Sequence, residues 1–392
     1  MEPAKKLRVG ILGAGEVAQA IHLPALVLLS HLFSVTAVCD VSAQTVAHVR
    51  ARFQIADGTT SAAELIGHPD VDVVFNLTSD AFHAEYTVQA LAAGKHVLLE
   101  KPAALSRAAV QAILAAEEAA GGEARVFVAY MRRYAPSFTR AFAREVRRIP
   151  RIRHVHVRDI VGPNAHFVAQ SGTSPARFDD VPVAQRAVAA ERYADELARA
   201  LDEAGVPLAG DDAPRRFWSF LATLGSHDLS LMREVLGMPD SVAGVATCDP
   251  FYSAIFRYRN RNSVGEEFAA VYESGIDGVP RFDARLTVYG DTQTVSIIYD
   301  TPYIRGLPIK VRVEELVDGE AVTREILTSF EDAYTAELKE MHSCFTQGKP
   351  IKTSVKDALQ DVEIWAMLVR KYYEDSKKLR QVSTYVPGIG FS

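Results

Sequence analysis

The stretch LRVGILGAGEVA, residues 7–18, limits the fold more than any other part of the chain. A short apolar run ends on Gly13, and Gly13, Gly15 and Ala18 form a GxGxxA pattern, with Glu16 and Val17 between the last two small residues. Small residues there let a strand turn tightly into a helix, bring backbone close to a pyrophosphate and aim the helix's first NH groups at it. An ordinary glycine-rich turn is the bland reading. It loses ground because the texture repeats: FSVTAVCD, VDVVFNLTS, HVLLEKP and ARVFVAY are further short apolar runs. Ala-rich helical stretches ending on Gly94 and on Gly121 and Gly122 lie between them. Strand and helix alternate, which predicts a parallel sheet with helices on both faces and ligands at the C-terminal strand ends.

A chain of 392 residues exceeds one ordinary core. Beyond residue 150 come longer alternating runs, among them IRHVHVRDIV, YSAIFRYRN, EEFAAVYESG, FDARLTVYG and QTVSIIYD, with turn signals between. The fold class expected is α/β for residues 1–135, followed over 136–392 by an α+β domain with a large, open, mostly antiparallel sheet. Residues 162–216, full of turn formers and then alanine-rich and charged, read as an atypical helical insertion. It is a lid or wall with His166 or Arg177 reaching inward, or an oligomer contact.

Composition narrows the function classes. The net charge is −6, giving no basic field for nucleic acid or anionic lipid. No apolar run approaches the roughly 20 residues of a membrane span, and the N-terminus does not read as a signal peptide. Three scattered cysteines, Cys39, Cys248 and Cys344, signal neither a disulfide framework nor a metal site. A cytoplasmic setting fits these features, with no nucleic-acid or membrane partner.

Several residues carry candidate chemistry. Asp40 ends the second apolar run, where a carboxylate accepts from adenosine ribose hydroxyls and repels a 2'-phosphate; its alternative is a helix N-cap. NAD is therefore expected, with NADP kept open because Ser42 could bind a phosphate. Lys101 stands at a strand end, before Pro102, where an ammonium could polarise a substrate hydroxyl while hydride leaves the same carbon; a solvated lysine is the alternative. In LATLGSHDLSLMREVL, Leu221, Leu224, Leu231 and Val235 recur at helical spacing, with Asp228 in the gap of that stripe and His227 beside it. An ionisable pair on an inward face suggests general acid/base work; the alternative is a buried histidine with a structural carboxylate. Tyr130, Arg132, Arg133 and Tyr134 follow a strand and read equally as substrate contacts or as a surface arginine pair with packed tyrosines. Thr78, Ser79 and His83 flank another strand end, with polar helix caps as the alternative.

GAGEVA, HLPAL at 22–26, LTSDAFH ending on His83, AAGKHVLLEKP at 92–102 and GSHDLSLMREVLG at 225–237 together resemble the Gfo/Idh/MocA family of nicotinamide-dependent oxidoreductases. The resemblance implies an N-terminal Rossmann domain and a second domain whose open sheet binds a sugar-like substrate and supports dimers or tetramers. It implies that Lys101 is the catalytic lysine, that His227 is the active-site histidine, and that Glu100 lies with Lys101, Thr78, Ser79 and His83 along the cofactor. Inositol dehydrogenases of that family carry an aspartate four residues before the histidine and an acid three after it. Thr223 and Ser230 stand there in this chain. Asp228 is then left to orient His227, or Lys101 carries the chemistry, and Thr223 becomes a substrate contact. The activity expected is an NAD(P)-dependent dehydrogenase or reductase of a sugar, polyol or sugar derivative. Its rivals are a redox-neutral glycosidase that uses bound NAD transiently, and a nucleotide-sensing regulator.

Overall fold

The computed structural model describes residues 5–207, 212–260 and 265–383. The first sheet holds six strands: β1 (Leu7–Leu12), β2 (Phe33–Cys39), β3 (Asp57–Thr59), β4 (Val73–Asn76), β5 (His96–Glu100) and β6 (Val126–Ala129). Their order is β3-β2-β1-β4-β5-β6, and every pairing in it is parallel. The order reverses beside β1, so a crevice opens at the C-terminal ends of β1 and β4, the switch point where doubly wound sheets bind ligands. The runs are unbroken apolar segments because both faces are covered: β4 and β6 are buried at every position.

The second sheet has eight strands: β7 (Ile152–Val161), β8 (Ser241–Cys248), β9 (Phe251–Arg259), β10 (Glu267–Ile276), β11 (Phe282–Gly290), β12 (Gln293–Tyr299), β13 (Lys310–Val317) and β14 (Glu320–Ile326). The order is β14-β13-β12-β11-β7-β10-β9-β8, antiparallel except where β10 runs parallel to β7. Strand β9 alternates strictly between buried and exposed residues, the pattern of a sheet with one face on a core and one in water. Its buried face meets helices Ala213–Phe220 and Val355–Ser383, where Phe217 stacks on Tyr252 at 4.9 Å and Trp218 meets Trp365 edge-on at 6.0 Å.

Two structural details position the site. The helix carrying His227 runs Ala213–Phe220, passes through a π-helical turn Leu221–Gly225 and resumes as Ser226–Leu236; the helix after the glycine turn likewise has a π-helical turn, Ala18–His22. A π turn inserts one residue per turn and redirects the side chains beside it. The 162–216 region forms helices Asn164–Gln170 and Val183–Glu203 before Ala213–Phe220 begins. His166 and Arg177 are exposed, His166 bonding Gln170, so neither reaches inward as the lid reading supposed.

Candidate active site

Two clefts meet at the glycine turn. The larger, about 700 Å³, is lined by Gly13, Gly15, Asp40, Thr78 and Ser79 on the parallel-sheet side and by residues of Val181–Arg192 opposite. The smaller, about 430 Å³, gathers Glu16, Val17, Glu100, Lys101, Arg132, Thr223 and His227, with Tyr303 and Tyr334. Ala18 is fully buried.

The glycine turn suits a dinucleotide. A Cβ on Gly13 would stand 2.6 Å from the Leu77 carbonyl oxygen, and its φ of +90° disfavours other residues. A Cβ on Gly15 would meet nothing within 4 Å and would project into the cleft, so the missing side chain leaves room there for a pyrophosphate. The Asp40 carboxylate accepts from the backbone NH of Ala14 at 2.8 Å and of Ser42 at 2.9 Å, which fixes it at the cleft edge. Its reading as a helix N-cap is not met: Ser42 caps that helix, accepting from Thr45 NH.

Lys101 crosses from the first sheet to the second domain's helix. Its Nζ donates at 2.6 Å to the carbonyl of Thr223, a residue of the π turn. Burial, the largest influence, pulls the ammonium below its ordinary value, and Arg132 acts the same way against Glu100, Asp80 and Asp159. Glu100 is locked on both oxygens: Oε1 lies 2.9 Å from His22 Nε2, and Oε2 accepts from the Lys101 NH at 3.0 Å. Burial pushes Glu100 up, but the His22 hydrogen bond and the charges of His22 and Lys101 prevail, so it is held as a carboxylate. His227 lines the same cleft. Burial and then the charges of Lys101 and Arg132 hold its imidazole well below 6.5, and its Nδ1 has no hydrogen-bond partner among the described residues. The site therefore presents a neutral imidazole beside a shifted ammonium.

Asp228 does not orient His227. It accepts from Arg132 Nη1, which also pairs with Asp159 at 3.1 Å, and all three groups are buried. Burial, reinforced by Asp159 and opposed by Arg132, drives the Asp228 carboxyl well above its usual range. The stripe had placed Asp228 inward correctly; its partner comes from β6's exit rather than from the neighbouring residue. Arg132 spans the two domains with its guanidinium over the rings of Tyr299 (5.4 Å) and Phe282 (5.6 Å).

The other residues of AYMRRY are corrected. The turn Met131–Tyr134 is 3₁₀-helical and fans successive side chains apart. Arg132 alone of the four reaches the cleft. Arg133 pairs with Glu234 and Asp357, Tyr130 packs against Arg133 and Arg233, and Tyr134 bonds Thr353 at 2.7 Å. These three hold the interior together and line neither cleft. His83 likewise lines neither cleft: Nδ1 lies 2.6 Å from the Pro102 carbonyl and Nε2 3.0 Å from the Thr78 carbonyl, so it ties the Lys101 loop to the end of β4. Among the residues missed, His22 begins HLPAL one helical stretch after the glycine turn, a signal that was visible. Tyr303 and Tyr334 had none, being brought in from distant segments. Burial and then Glu16 and Glu100 raise Tyr303 to about 12, keeping it an O–H donor.

Residues 7–130 match the family model described as the oxidoreductase family with an NAD-binding Rossmann fold. Inositol 2-dehydrogenase of Acidothermus cellulolyticus is 35% identical over 138 residues, which is 35% of this chain and 40% of that protein. 1,5-Anhydro-D-fructose reductase of Ensifer adhaerens is 36% identical over 113 residues, 29% of this chain and 33% of the reductase. In both the chain spans less than half of the relative's length. Among solved structures, a 3-ketoreductase from Actinomadura kijaniata in complex with NADP and TDP-benzene superposes with a TM-score of 0.68 at 17% identity, covering 94% of this chain and 98% of the other. The aldose-aldose oxidoreductase of Caulobacter crescentus gives 0.67 at 19% identity over 95% and 98%. At those identities the likeness is one of fold, and it extends through both sheets.

Proposed function

We propose, from the match of residues 7–130 to the oxidoreductase family with an NAD-binding Rossmann fold, that the chain is an NAD(P)-dependent dehydrogenase or reductase of a secondary alcohol or carbonyl on a sugar, polyol or sugar derivative. The observation that carries the reading is one cleft holding the Lys101 ammonium, the neutral His227 imidazole and hydroxyl-bearing Tyr303 and Tyr334, directly beyond a glycine turn. The dinucleotide, when bound, supplies or takes the hydride. Gly13, Gly15, Asp40, Thr78 and Ser79 would hold its adenosine and pyrophosphate, and Glu16, Val17, Glu100 and Lys101 would border the reactive end.

Lys101 donates to the reacting oxygen and stabilises negative charge as it develops there. His227 accepts the hydroxyl proton during oxidation and returns it during reduction. Arg132 lies at the cleft floor as a fixed cation, held by Asp228 and Asp159 acting as positioning residues. Thr223 acts through its carbonyl, which aims Lys101. The outer face of the second sheet exposes Ile255 and Ile298 among charged residues, and we take that face as the contact of a homo-oligomer.

The test is nicotinamide absorbance with NAD and NADP against aldoses, polyols and sugar acids, run beside chromogenic glycosides. Cofactor reduction by one substrate class, lost in Lys101→Ala, is the expected result. Aglycone release without net cofactor change, or binding without turnover on any compound, contradicts it.

A further inference from the structure

The inserted segment does not roll freely over the surface. From Thr173 to Asp180 it is pinned to the parallel-sheet domain at successive points. Gln19 Nε2 donates to the Ala176 carbonyl at 3.0 Å while Gln19 Oε1 accepts from the Ala176 NH at 2.9 Å. Arg52 donates to the carbonyls of Ser174 (2.7 Å) and Thr173, and Phe178 packs on His48 with ring centroids 5.7 Å apart. The Asp180 carboxylate then accepts from the Ser42 hydroxyl and, at 3.0 Å, from the Gln44 NH. Beyond it Val181, Ala184, Val188 and Ala189 present an apolar surface to the larger cleft, across from Gly13, Gly15 and Asp40. Arg192 fixes the far end by pairing with Glu85 and stacking on Phe82 at 4.9 Å.

Ser42 and Gln44 begin the helix Ala43–Phe53 directly after Asp40. A hydroxyl and a free NH at a helix start beside the ribose carboxylate are what a 2'-phosphate would use. Here a carboxylate already occupies both donors, and it comes from the insertion. We propose that residues 173–192 form the outer wall of the adenosine half of the dinucleotide site, and that Asp180 restricts that site to NAD by occupying the donors a 2'-phosphate needs. The inference rests on the dinucleotide reading above and goes beyond it, since Asp40 alone leaves Ser42 available to NADP. The contacts with Ser42 and with the NH groups of Gln44 and Ala43 hold Asp180 below the ordinary carboxylate range, so it is an anion at neutral pH. Asp40 lines the cleft and Asp180 lies on the two donors beside it, so a 2'-phosphate there would meet two carboxylates. Arg186 lines the same wall, and its cation favours the opposite preference.

The full chain is titrated with NADH and NADPH by nicotinamide fluorescence, and with adenosine 5'-monophosphate and adenosine 2',5'-bisphosphate by calorimetry. The wild type is expected to bind NADH at least about tenfold tighter than NADPH. Asp180→Ala should tighten NADPH and the bisphosphate about tenfold or more while changing NADH and the monophosphate less than about threefold, and Ser42→Ala added to it should remove the gain. If Asp180→Ala melts early by circular dichroism, Asp180→Asn, which keeps the size and removes the charge, must still raise the NADPH to NADH affinity ratio. An unchanged ratio in both variants overturns the proposal and leaves the oxidoreductase reading standing, as does a wild type that prefers NADPH and loses the preference in Arg186→Ala. Binding of neither dinucleotide by the wild type overturns both.

Discussion

Lys101 and His227 are asked to do opposite things with a proton, and their surroundings shift them accordingly. Lys101 works as the cation, so activity is lost as pH rises through its lowered value, and the alkaline limb of the rate profile should fall below 10.5. His227 works as the neutral base, so oxidation is lost only as pH falls through a value well under 6.5. Measured with a substrate that reduces the cofactor, kcat/KM should hold as pH falls to 6.5, and His227→Asn should abolish the acid limb while costing about 10²-fold, the usual scale of one acid/base group. Gly13 is a residue-scale test of the turn. Gly13→Ala places a Cβ 2.6 Å from the Leu77 oxygen at a φ of +90°, which should cost about 1–3 kcal/mol in a denaturant titration and weaken dinucleotide binding.

Elements explain which of these residues were legible in the sequence and which were not. Strands β1, β4, β5 and β6 announce themselves as continuous apolar runs because both their faces are covered, and the glycine turn and Lys101 were found with them. β3 reads DGT, and β14 reads EAVTREI, short or charged edge strands whose pairing is set by their neighbours rather than by any pattern of their own. Side-chain direction was the harder matter. Tyr130, Arg133 and Tyr134 flank a true cleft residue, yet a single 3₁₀ turn sends them into the interior, and adjacency in sequence could not distinguish them from Arg132. Asp228 was placed inward by its helical stripe, but its partners, Arg132 and Asp159, lie on other elements and carry no local signal. Removing that carboxyl takes away one of the two acidic side chains that hold the buried Arg132 guanidinium, so Asp228→Ala should lose about 1–3 kcal/mol by denaturant unfolding, whereas Asp228→Asn, which keeps the volume and an acceptor, should lose markedly less. His83→Ala releases the Pro102 carbonyl from Thr78 and should lower kcat more than it raises KM, because it loosens the loop that aims Lys101.

At the scale of the whole molecule the chain closes on itself. Helix Ala333–Gln347 returns to the first sheet, where Leu338, Met341, Cys344 and Phe345 join Leu7, Val9, Phe33 and Phe127 in one buried cluster, so the first sheet's core includes residues from the far end of the sequence. His96 stacks on Phe345 at 4.5 Å across that junction, and burial, with Arg125 and Lys5, lowers it to about 4. The unfolded chain takes up this proton below about 6.5 and the folded chain does not, so stability falls as pH drops from 6.5 toward 4. At pH 5 the loss from this one group should be about 1 kcal/mol after allowance for its partial exposure, and His96→Gln should reduce the fall in unfolding free energy between pH 6.5 and 5 by that amount in denaturant titrations. The central claim, that hydride passes between a bound nicotinamide and a carbon whose oxygen Lys101 holds, is tested most directly by isotope transfer. A substrate deuterated at its carbinol carbons is incubated with the full chain and oxidised cofactor, and the nicotinamide is analysed by mass spectrometry. One deuterium on the reduced nicotinamide, lost in Lys101→Met, is the predicted result; reduced cofactor without deuterium, or transfer undiminished in Lys101→Met, would contradict it.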